Sequence, residues 1–185
     1  QESSVAPNQI GTFRFQIRAS VPPGSYREYF NLVAENATWL NDIGQFYPIT
    51  VVAPALGGQV TENNIPTTMS ANSTTSVTIK VKNTGNNTWY NSGNNPVDMY
   101  TDPYNKISVF QGDGWLEARK PSRLNEVSVP PGQIGTFTLN LKAPPDNGSY
   151  TEVFRFGMSN VGWFNTYVGQ TITVTGGQVA TKKPV

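Results

Sequence analysis

Short stretches in which apolar and polar residues alternate run through most of the chain. Two clear examples are Thr12–Ala19 and Ser76–Lys82. The apolar positions are Phe13, Phe15 and Ile17 in the first stretch and Val77, Ile79 and Val81 in the second. A period of two is typical of a strand with one buried face. Because no segment keeps the 3.6-residue period of an amphipathic helix, the pattern predicts an all-β protein.

The first fifty residues predict three strands separated by turns. The strands are Thr12–Ala19, Tyr26–Ala34 and Trp39–Val52, and the third is expected to be interrupted near Gly44 and Pro48. Proline and glycine weaken a strand because proline lacks a backbone donor and glycine packs no side chain. A further short strand is predicted over Pro96–Tyr100.

The sequence of Val5–Val51 recurs in similar form as Val129–Val174. At an offset of 124, sixteen of the thirty-seven residues in 5–41 are identical to their partners, whereas chance gives roughly two or three, which identifies an internal repeat. Gly57-Gly58-Gln59-Val60 also recurs as Gly176-Gly177-Gln178-Val179. The spacing of the repeat suits a β-sandwich domain and not a short solenoid unit.

These patterns predict an all-β, immunoglobulin-like antiparallel β-sandwich, with one complete domain and the C-terminal half of a preceding one. Residues 1–53 are the half-domain, and residues 54–59 are a linker. Residues 60–175 are the complete domain, and residues 176–185 are a linker or the start of a further repeat.

The apolar face of residues 1–53 is expected to need a second sheet, because some fifty residues alone bury too little surface to be stable. Three arrangements can supply it. We favour other domains of the same longer chain. Other copies, or a separate fragment, can instead complete the half-domain in trans. In the third arrangement the half-domain packs onto the complete domain.

Composition excludes several functions. Charged residues make up 14% of the chain and the net charge is +1, which disfavours nucleic acid and anionic membranes as partners. With neither Cys nor His, the chain lacks the usual zinc ligands and Ser-His or Cys-His pairs. No apolar run approaches the roughly 20 residues of a membrane span. We therefore expect no membrane insertion, cofactor, metal or catalytic activity.

Several motifs in the second half carry a resemblance. They are Val81-Lys82-Asn83-Thr84-Gly85-Asn86-Asn87-Thr88-Trp89, Val129-Pro130-Pro131-Gly132, Ala143-Pro144 and Gly148-Ser149-Tyr150. Together they resemble the four-tryptophan immunoglobulin-like domain, known from autophagy cargo receptors and from tandem relatives in bacterial surface and cell-wall proteins. Trp89 matches the family's first tryptophan and Trp115 the next. Phe154 and the Asn165–Tyr167 region occupy the later two positions.

Aromatic residues gather between the first two tryptophans, and two interpretations are open for them. In one, they form a stacking platform for sugar rings, which is a possible ligand or partner surface. In the other, which we favour, they cap the core and cover a long loop. The residues are Trp89, Tyr100, Tyr104, Phe110 and Trp115.

Residues at matching places in the repeat are assigned structural roles. Tyr26 and Tyr150 each follow Gly-Ser and resemble tyrosine corners, in which the hydroxyl bonds to nearby backbone. Trp39 and Trp163 are the matched tryptophans. Alternation puts Glu28 and Glu152 on the inner face, where an unpaired carboxylate is costly. We expect a β-bulge that turns each one outward, or hydrogen bonds from backbone N–H groups.

The sequence thus predicts a non-catalytic structural or adhesive module of a tandem-repeat surface or filament protein, located outside the cell. One alternative is a carbohydrate- or cell-wall-binding accessory domain that uses the aromatics around Trp115, with a cell-wall glycan as its partner. Another is a protein-binding module like the cargo-receptor domain that the chain resembles.

Overall fold

The fold is that of a computed structural model, which describes residues 2–179. These residues contain strands and turns but no helix. The described part of the chain accordingly offers no apolar helix of membrane-spanning length. The chain divides into two compact units, unit 1 (Gln1–Ala53) and unit 2 (Pro54–Val185).

Unit 1 contains two small antiparallel pairs. β1 pairs with β4, from Gly24 opposite Val51 to Tyr29 opposite Phe46. β2 pairs with β3. The strands are β1 (Gly24–Tyr29), β2 (Val33–Ala34), β3 (Thr38–Trp39) and β4 (Phe46–Val51).

Unit 2 is an antiparallel β-sandwich of the predicted immunoglobulin-like class, with two short parallel pairings at its edges. One sheet has the order β12-β7-β5, and the other has the order β10-β9-β13-β14-β6, with β15 beside β13; β8 and β11 form a separate pair. The strands are β5 (Gly58–Asn63), β6 (Thr68–Ser70), β7 (Thr74–Asn83), β8 (Trp89–Tyr90), β9 (Val97–Thr101), β10 (Ser122–Arg123), β11 (Ser128–Val129), β12 (Ile134–Lys142), β13 (Asp146–Met158), β14 (Gly162–Thr175) and β15 (Gln178–Val179).

The core of unit 2 lies between the two sheets. From one side β7 contributes Val77, Ile79 and Val81, all fully buried. From the other side β13 contributes Phe154 and Phe156, and the ring of Phe156 lies 4.9 Å from that of Phe137 on β12. Each such side chain contributes about 1.5–3 kcal/mol when it leaves water, so this interface dominates the stability of the unit.

The chain enters and leaves the sandwich of unit 2 at opposite ends of β7. Near Asn83, the amide of Asn86 donates to the carbonyl of Ala55 at 3.2 Å. Next to Thr74, at the other end, the amide of Ala71 donates to the carbonyl of Thr175 at 2.8 Å. Ten residues of strand separate the two places, or about 33 Å at a rise of ~3.3 Å per residue.

The inward positions of Ser76–Lys82 are buried as alternation predicts, but the strand predicted over Thr12–Ala19 is wrong. Residues 12–19 form no strand in unit 1. Their repeat equivalents lie in β12, which pairs with β7 over nine positions from Ile134 opposite Lys82 to Lys142 opposite Thr74. A strand needs a neighbour for its backbone groups, and unit 1 provides none for this segment.

Other predicted boundaries shift by a few residues. Strand Tyr26–Ala34 divides into β1 and β2, and Trp39–Val52 divides into β3 and β4 around Gly44, whose φ is +73°. Pro48, expected to interrupt the strand, lies within β4 opposite Arg27. β5 already begins at Gly58, inside the predicted linker. Of the predicted segment 176–185, residues 180–185 lie outside the described part.

The repeat offers a matched pair of core substitutions. Phe137→Ala should lower the free energy of unfolding of unit 2 by about 3–5 kcal/mol, the usual loss for a buried phenylalanine. Phe13→Ala, at the equivalent position of unit 1, should lower the free energy of unfolding of unit 1 by less than about 0.5 kcal/mol, since Phe13 is 70% exposed. Urea unfolding of the two variants measures this, and equal losses would contradict the placement of the core.

Candidate functional site

The most distinctive surface of unit 2 is an aromatic cluster on the outer face of the β9-β13-β14 sheet. Tyr100, Arg155 and Tyr167 face one another across the three strands. In the next row Gly157 lies opposite Trp163. Alternation produces this arrangement, because the intervening residues of β13 point inward. We call Tyr100, Tyr104, Arg155, Trp163 and Tyr167 the aromatic–arginine cluster.

Three rings of this cluster contact one another. Trp163 meets Tyr100 edge to face, with centroids 4.8 Å apart and planes at 82°. Tyr104, from the loop after β9, lies 5.4 Å from Trp163 and 5.7 Å from Tyr100. Tilted and edge-to-face pairs are the geometry that aromatic quadrupoles favour, so the three rings support one another.

Glycine at position 157 makes room for the indole of Trp163. A Cβ atom there would lie 2.9 Å from Cε3 of the indole and 3.3 Å from the ring of Tyr100. Such a distance is closer than van der Waals contact allows. Trp163 can therefore lie on the backbone of β13 only because residue 157 has no side chain.

Arg155 contacts two rings of the cluster through its guanidinium group. Its guanidinium carbon lies 4.2 Å from the centre of the Trp163 ring and 5.5 Å from that of Tyr167. One guanidinium nitrogen, Nη1, lies 3.5 Å from Oδ1 of Asp102. A cation over an indole face is attracted by the ring quadrupole. The Nε atom of Arg155 is buried without a hydrogen-bond partner in the protein.

A buried charge group adjoins the cluster. Asp98 on β9 is fully buried, and Nε of Arg123 lies 2.6 Å from its Oδ1. This hydrogen bond raises the pKa of Arg123 despite partial burial. Nζ of Lys120 lies 3.5 Å from Asp98 Oδ2 and 5.4 Å from the centre of the Tyr100 ring. Burial lowers the pKa of Lys120, but Tyr100, Asp98 and Glu117 together raise it more, so the ammonium is charged at neutral pH.

A shallow pocket of about 410 Å³ opens beside the three rings. The β13–β14 turn forms its other wall with Ser159, Asn160 and Val161. Tyr104 and Trp163 remain 45% and 41% exposed. Volumes of roughly 300–1,000 Å³, aromatic walls and a few polar groups are typical of small-molecule sites. The arrangement offers ring faces for stacking, with amide and hydroxyl groups at the rim.

The five residues of the possible ligand surface do not lie together. Trp89 and Phe110 are 1% and 0% exposed, and Trp89 packs against Phe164 in the core, so for these two the surface interpretation is wrong and the favoured core interpretation is confirmed. Trp115 is half-buried, and its indole nitrogen donates to the carbonyl of Asn140 at 2.7 Å. Only Tyr100 and Tyr104 belong to the aromatic–arginine cluster.

The residues that complete the cluster were missed because repeat matching assigned Trp163 a structural role. Its repeat partner Trp39 is 68% exposed. A usable signal was present in the sequence. Trp163 and Tyr167 occupy positions of β14 that alternation directs toward solvent, where aromatic residues serve no core. Arg155 occupies the corresponding outward position of β13.

Glu152 is buried, and the expectation that a bulge turns it outward is wrong. The side chain is 1% exposed and points inward with Phe154. The register shift of β13 lies further along, between Arg155 and Gly157. Nζ of Lys106 lies 3.1 Å from Glu152 Oε1 and donates to the carbonyl of Thr151 at 2.9 Å. A lysine ammonium, and not the predicted backbone N–H groups, thus compensates the carboxylate.

The other matched residues behave as follows. The hydroxyl of Tyr26 donates to the carbonyl of Pro22 at 2.7 Å, and that of Tyr150 to the carbonyl of Asp146 at 3.1 Å. This is the hydrogen bond expected of a tyrosine corner. Glu28, the equivalent of Glu152, is exposed in unit 1.

Comparison with known proteins gives one family. The model described as the Ig-like domain from next to BRCA1 gene matches residues 64–175. Among solved structures, the CARDB domain of a Pyrococcus furiosus protein is 16% identical, with a TM-score of 0.42, over 68% of this chain and 98% of that domain. Domains 4 and 5 of the S-layer protein SbsC are 13% identical, with a TM-score of 0.32, over 83% of this chain and 66% of that chain. No curated protein matches significantly.

A methyl group added at residue 157 tests whether the indole of Trp163 rests on the backbone of β13. Gly157→Ala should displace the indole and change the near-ultraviolet circular dichroism, with a loss of about 1–3 kcal/mol in unfolding free energy, as overpacking usually costs. Ser149→Ala, at an exposed position of the same strand, is the control and should leave the spectrum unchanged. An unchanged spectrum for Gly157→Ala would mean that the indole does not rest on Gly157.

Proposed function

The chain belongs to the family of the Ig-like domain from next to BRCA1 gene, and we propose that it is a non-catalytic structural module of a tandem-repeat protein. In this proposal the module acts as a spacer in a surface or filament protein outside the cell. The closer relation to the four-tryptophan group is part of the proposal, and it rests on the sequence match of Trp89 and Trp115 to the first two tryptophans of that group.

The path of the chain through unit 2 is the observation that carries this proposal. The chain enters beside Asn86 and leaves beside Ala71, at opposite ends of β7. Units that enter and leave at opposite ends add length when they are joined in series. In many domains the two chain ends lie close together. Ends at opposite sides of the sandwich are therefore not a general property of domains, and they suit a spacer.

The segment that leads into β5 is fixed to the sandwich. The amide of Ala55 donates to Oδ1 of Asn86 at 2.8 Å, and the amide of Thr84 donates to the carbonyl of Gly57 at 3.1 Å. Gly85 allows this approach, because a Cβ atom there would clash with the carbonyl oxygen of Ala55. At the far end, the amide of Gly177 donates to Oδ1 of Asn147 at 2.7 Å. Ends that are held in this way fix the direction in which the chain enters and leaves unit 2.

The side chains support a non-catalytic role. The chain has no His and no Cys. Within residues 2–179 no group of three or more Asp or Glu side chains is placed to hold a metal ion. The buried carboxylates Asp98 and Glu152 are each paired with a cation, Arg123 and Lys106 respectively, as a buried charge in a stable fold requires.

Carbohydrate binding is the second candidate, and the aromatic–arginine cluster is the observation that favours it. The exposed rings of Tyr104 and Trp163 border a pocket with hydroxyl and amide groups. Sugar rings stack on such faces and bond to such groups. The candidate site is centred on Trp163 and replaces the predicted site around Trp115.

The spacer role predicts how size grows in concatenated proteins. Chains of one to four copies of residues 54–179 should gain about 30–40 Å in maximum dimension per copy, the length of β7 with its turns. Small-angle X-ray scattering measures this. Copies separated by ten-residue Gly/Ser linkers are the control and should extend by a less regular increment. A maximum dimension that stays constant as copies are added would contradict the spacer role.

The carbohydrate role predicts an effect of one ring. In co-sedimentation with peptidoglycan, Trp163→Ala should weaken binding at least about tenfold, which corresponds to ~1.4 kcal/mol. Tyr90→Ala, which removes an exposed ring outside the cluster, should bind like the parent chain. Thermal unfolding of both variants checks that they fold. If neither the parent nor the variants sediment with peptidoglycan, the wall-glycan role is wrong.

A further inference from the structure

The two copies of the repeat differ in how far their equivalent apolar side chains are exposed to solvent. We call Phe13, Phe15, Ile17, Phe30, Leu32 and Leu40 the uncovered face of unit 1. These side chains are 42–70% exposed. At the offset of 124, the same positions of unit 2 are 0–4% exposed. The unit 2 equivalents are Phe137, Leu139, Leu141, Phe154, Phe156 and Phe164.

In unit 2 the cover comes from residues 58–128. Three fully buried side chains of β7, which lies in the same sheet as β12, face β13 and β14 across the core. Trp89, Val97, Met99, Phe110 and Leu124 complete the cover, and all are at most 2% exposed. β7 also pairs with the whole of β12. No counterpart of this segment exists among the described residues of unit 1, and residues 12–19, the counterpart of β12, form no strand there.

The shape of the uncovered face suits such a cover. It borders a groove of about 550 Å³ whose walls include Phe13, Phe15, Phe30 and Leu40. The rings of Phe15 and Phe30 lie 4.9 Å apart, and those of Phe30 and Tyr47 lie 5.7 Å apart. Exposed apolar side chains gathered along one groove mark an interaction surface.

The charge at the edge of this face specifies the partner further. Glu28 is the equivalent of Glu152, which lies 1% exposed against the ammonium of Lys106. Lys106 belongs to the covering segment, and Glu28 is exposed in unit 1. Covering unit 1 as unit 2 is covered buries Glu28, and an unpaired buried carboxylate is expensive. The partner must therefore bring a cation to Glu28.

We propose that the uncovered face of unit 1 binds a polypeptide segment with the chemistry of residues 58–128, which completes a second sandwich. This segment supplies a strand equivalent to β7 for residues 12–19 and an ammonium equivalent to Lys106 for Glu28. Intact second copies do not fit the site, because each uses its own residues 58–128 to cover residues 129–174. The proposal deepens the tandem array proposed above, because it states how a neighbouring half-domain would join.

A fused chain tests this inference. Residues 58–128 are placed directly before residues 5–185, since Val5 is the equivalent of Val129. Hydrogen exchange should slow by at least a hundredfold at the amides of residues 13–17 and 26–32, relative to the original chain. The fused protein should remain a monomer in analytical ultracentrifugation.

Two matched controls use the added segment alone. With Ile79→Asp and Val81→Asp in the added copy only, protection of residues 13–17 should be lost while unit 2 stays protected. With Lys106→Met in the added copy, protection should fall at residues 26–32, around Glu28. Unprotected residues 13–17 in the fused chain, or equal protection with the aspartate variants, would overturn the proposal. So would dimerisation of the original chain with protected residues 13–17, which would make a second copy the partner.

The test separates this proposal from the spacer role. The scattering experiment uses only residues 54–179, and its outcome does not depend on unit 1. Protection of the fused chain together with concatenated units of constant size would leave the completed half-domain standing and remove the spacer role.

Discussion

The structure depends on the burial of one sheet face against another. The inner faces of the β12-β7-β5 sheet and of the sheet containing β13 and β14 are mostly apolar, and in unit 2 they exclude water from each other. Burial of this kind is the dominant favourable term in folding. The buried ion pair of Glu152 is a consequence of the same closure, because this carboxylate needs Lys106 only where water is excluded.

The outer face is free to vary once the inner face is closed. Polar residues suffice on that side, yet β13 and β14 carry Arg155, Trp163 and Tyr167 there. The indole can lie on the strand because Gly157 has no side chain, although a glycine within a strand weakens that strand. A stabilising role for the ring stack and a role in ligand binding both agree with this arrangement. Loss of peptidoglycan binding without loss of stability distinguishes the second role from the first.

Much of the fold could be predicted because it is local in sequence. Alternation identified β7, and the repeat related the two halves before any contact was known. The errors concern long-range partners. Thr12–Ala19 has the pattern of a strand but no neighbour, and a pattern does not reveal whether a neighbour exists. Alternation alone puts Glu152 on the inner face. An outward bulge or backbone partners were preferred because the compensating cation, Lys106, is 46 residues away in a loop and no local pattern reveals it. The local sequence does not distinguish Trp89 from Trp163. Only the sheet structure shows that Trp89 lies in the core and Trp163 on the surface.

The central claim is that the same apolar pattern forms a core in unit 2 and an accessible face in unit 1. Hydroxyl-radical footprinting of the original chain, read by mass spectrometry, compares equivalent phenylalanines within one molecule. Phe13 and Phe30 should be oxidised at least about ten times faster than Phe137 and Phe154, because radicals reach only side chains in contact with water. Equal rates for the two pairs would contradict the account.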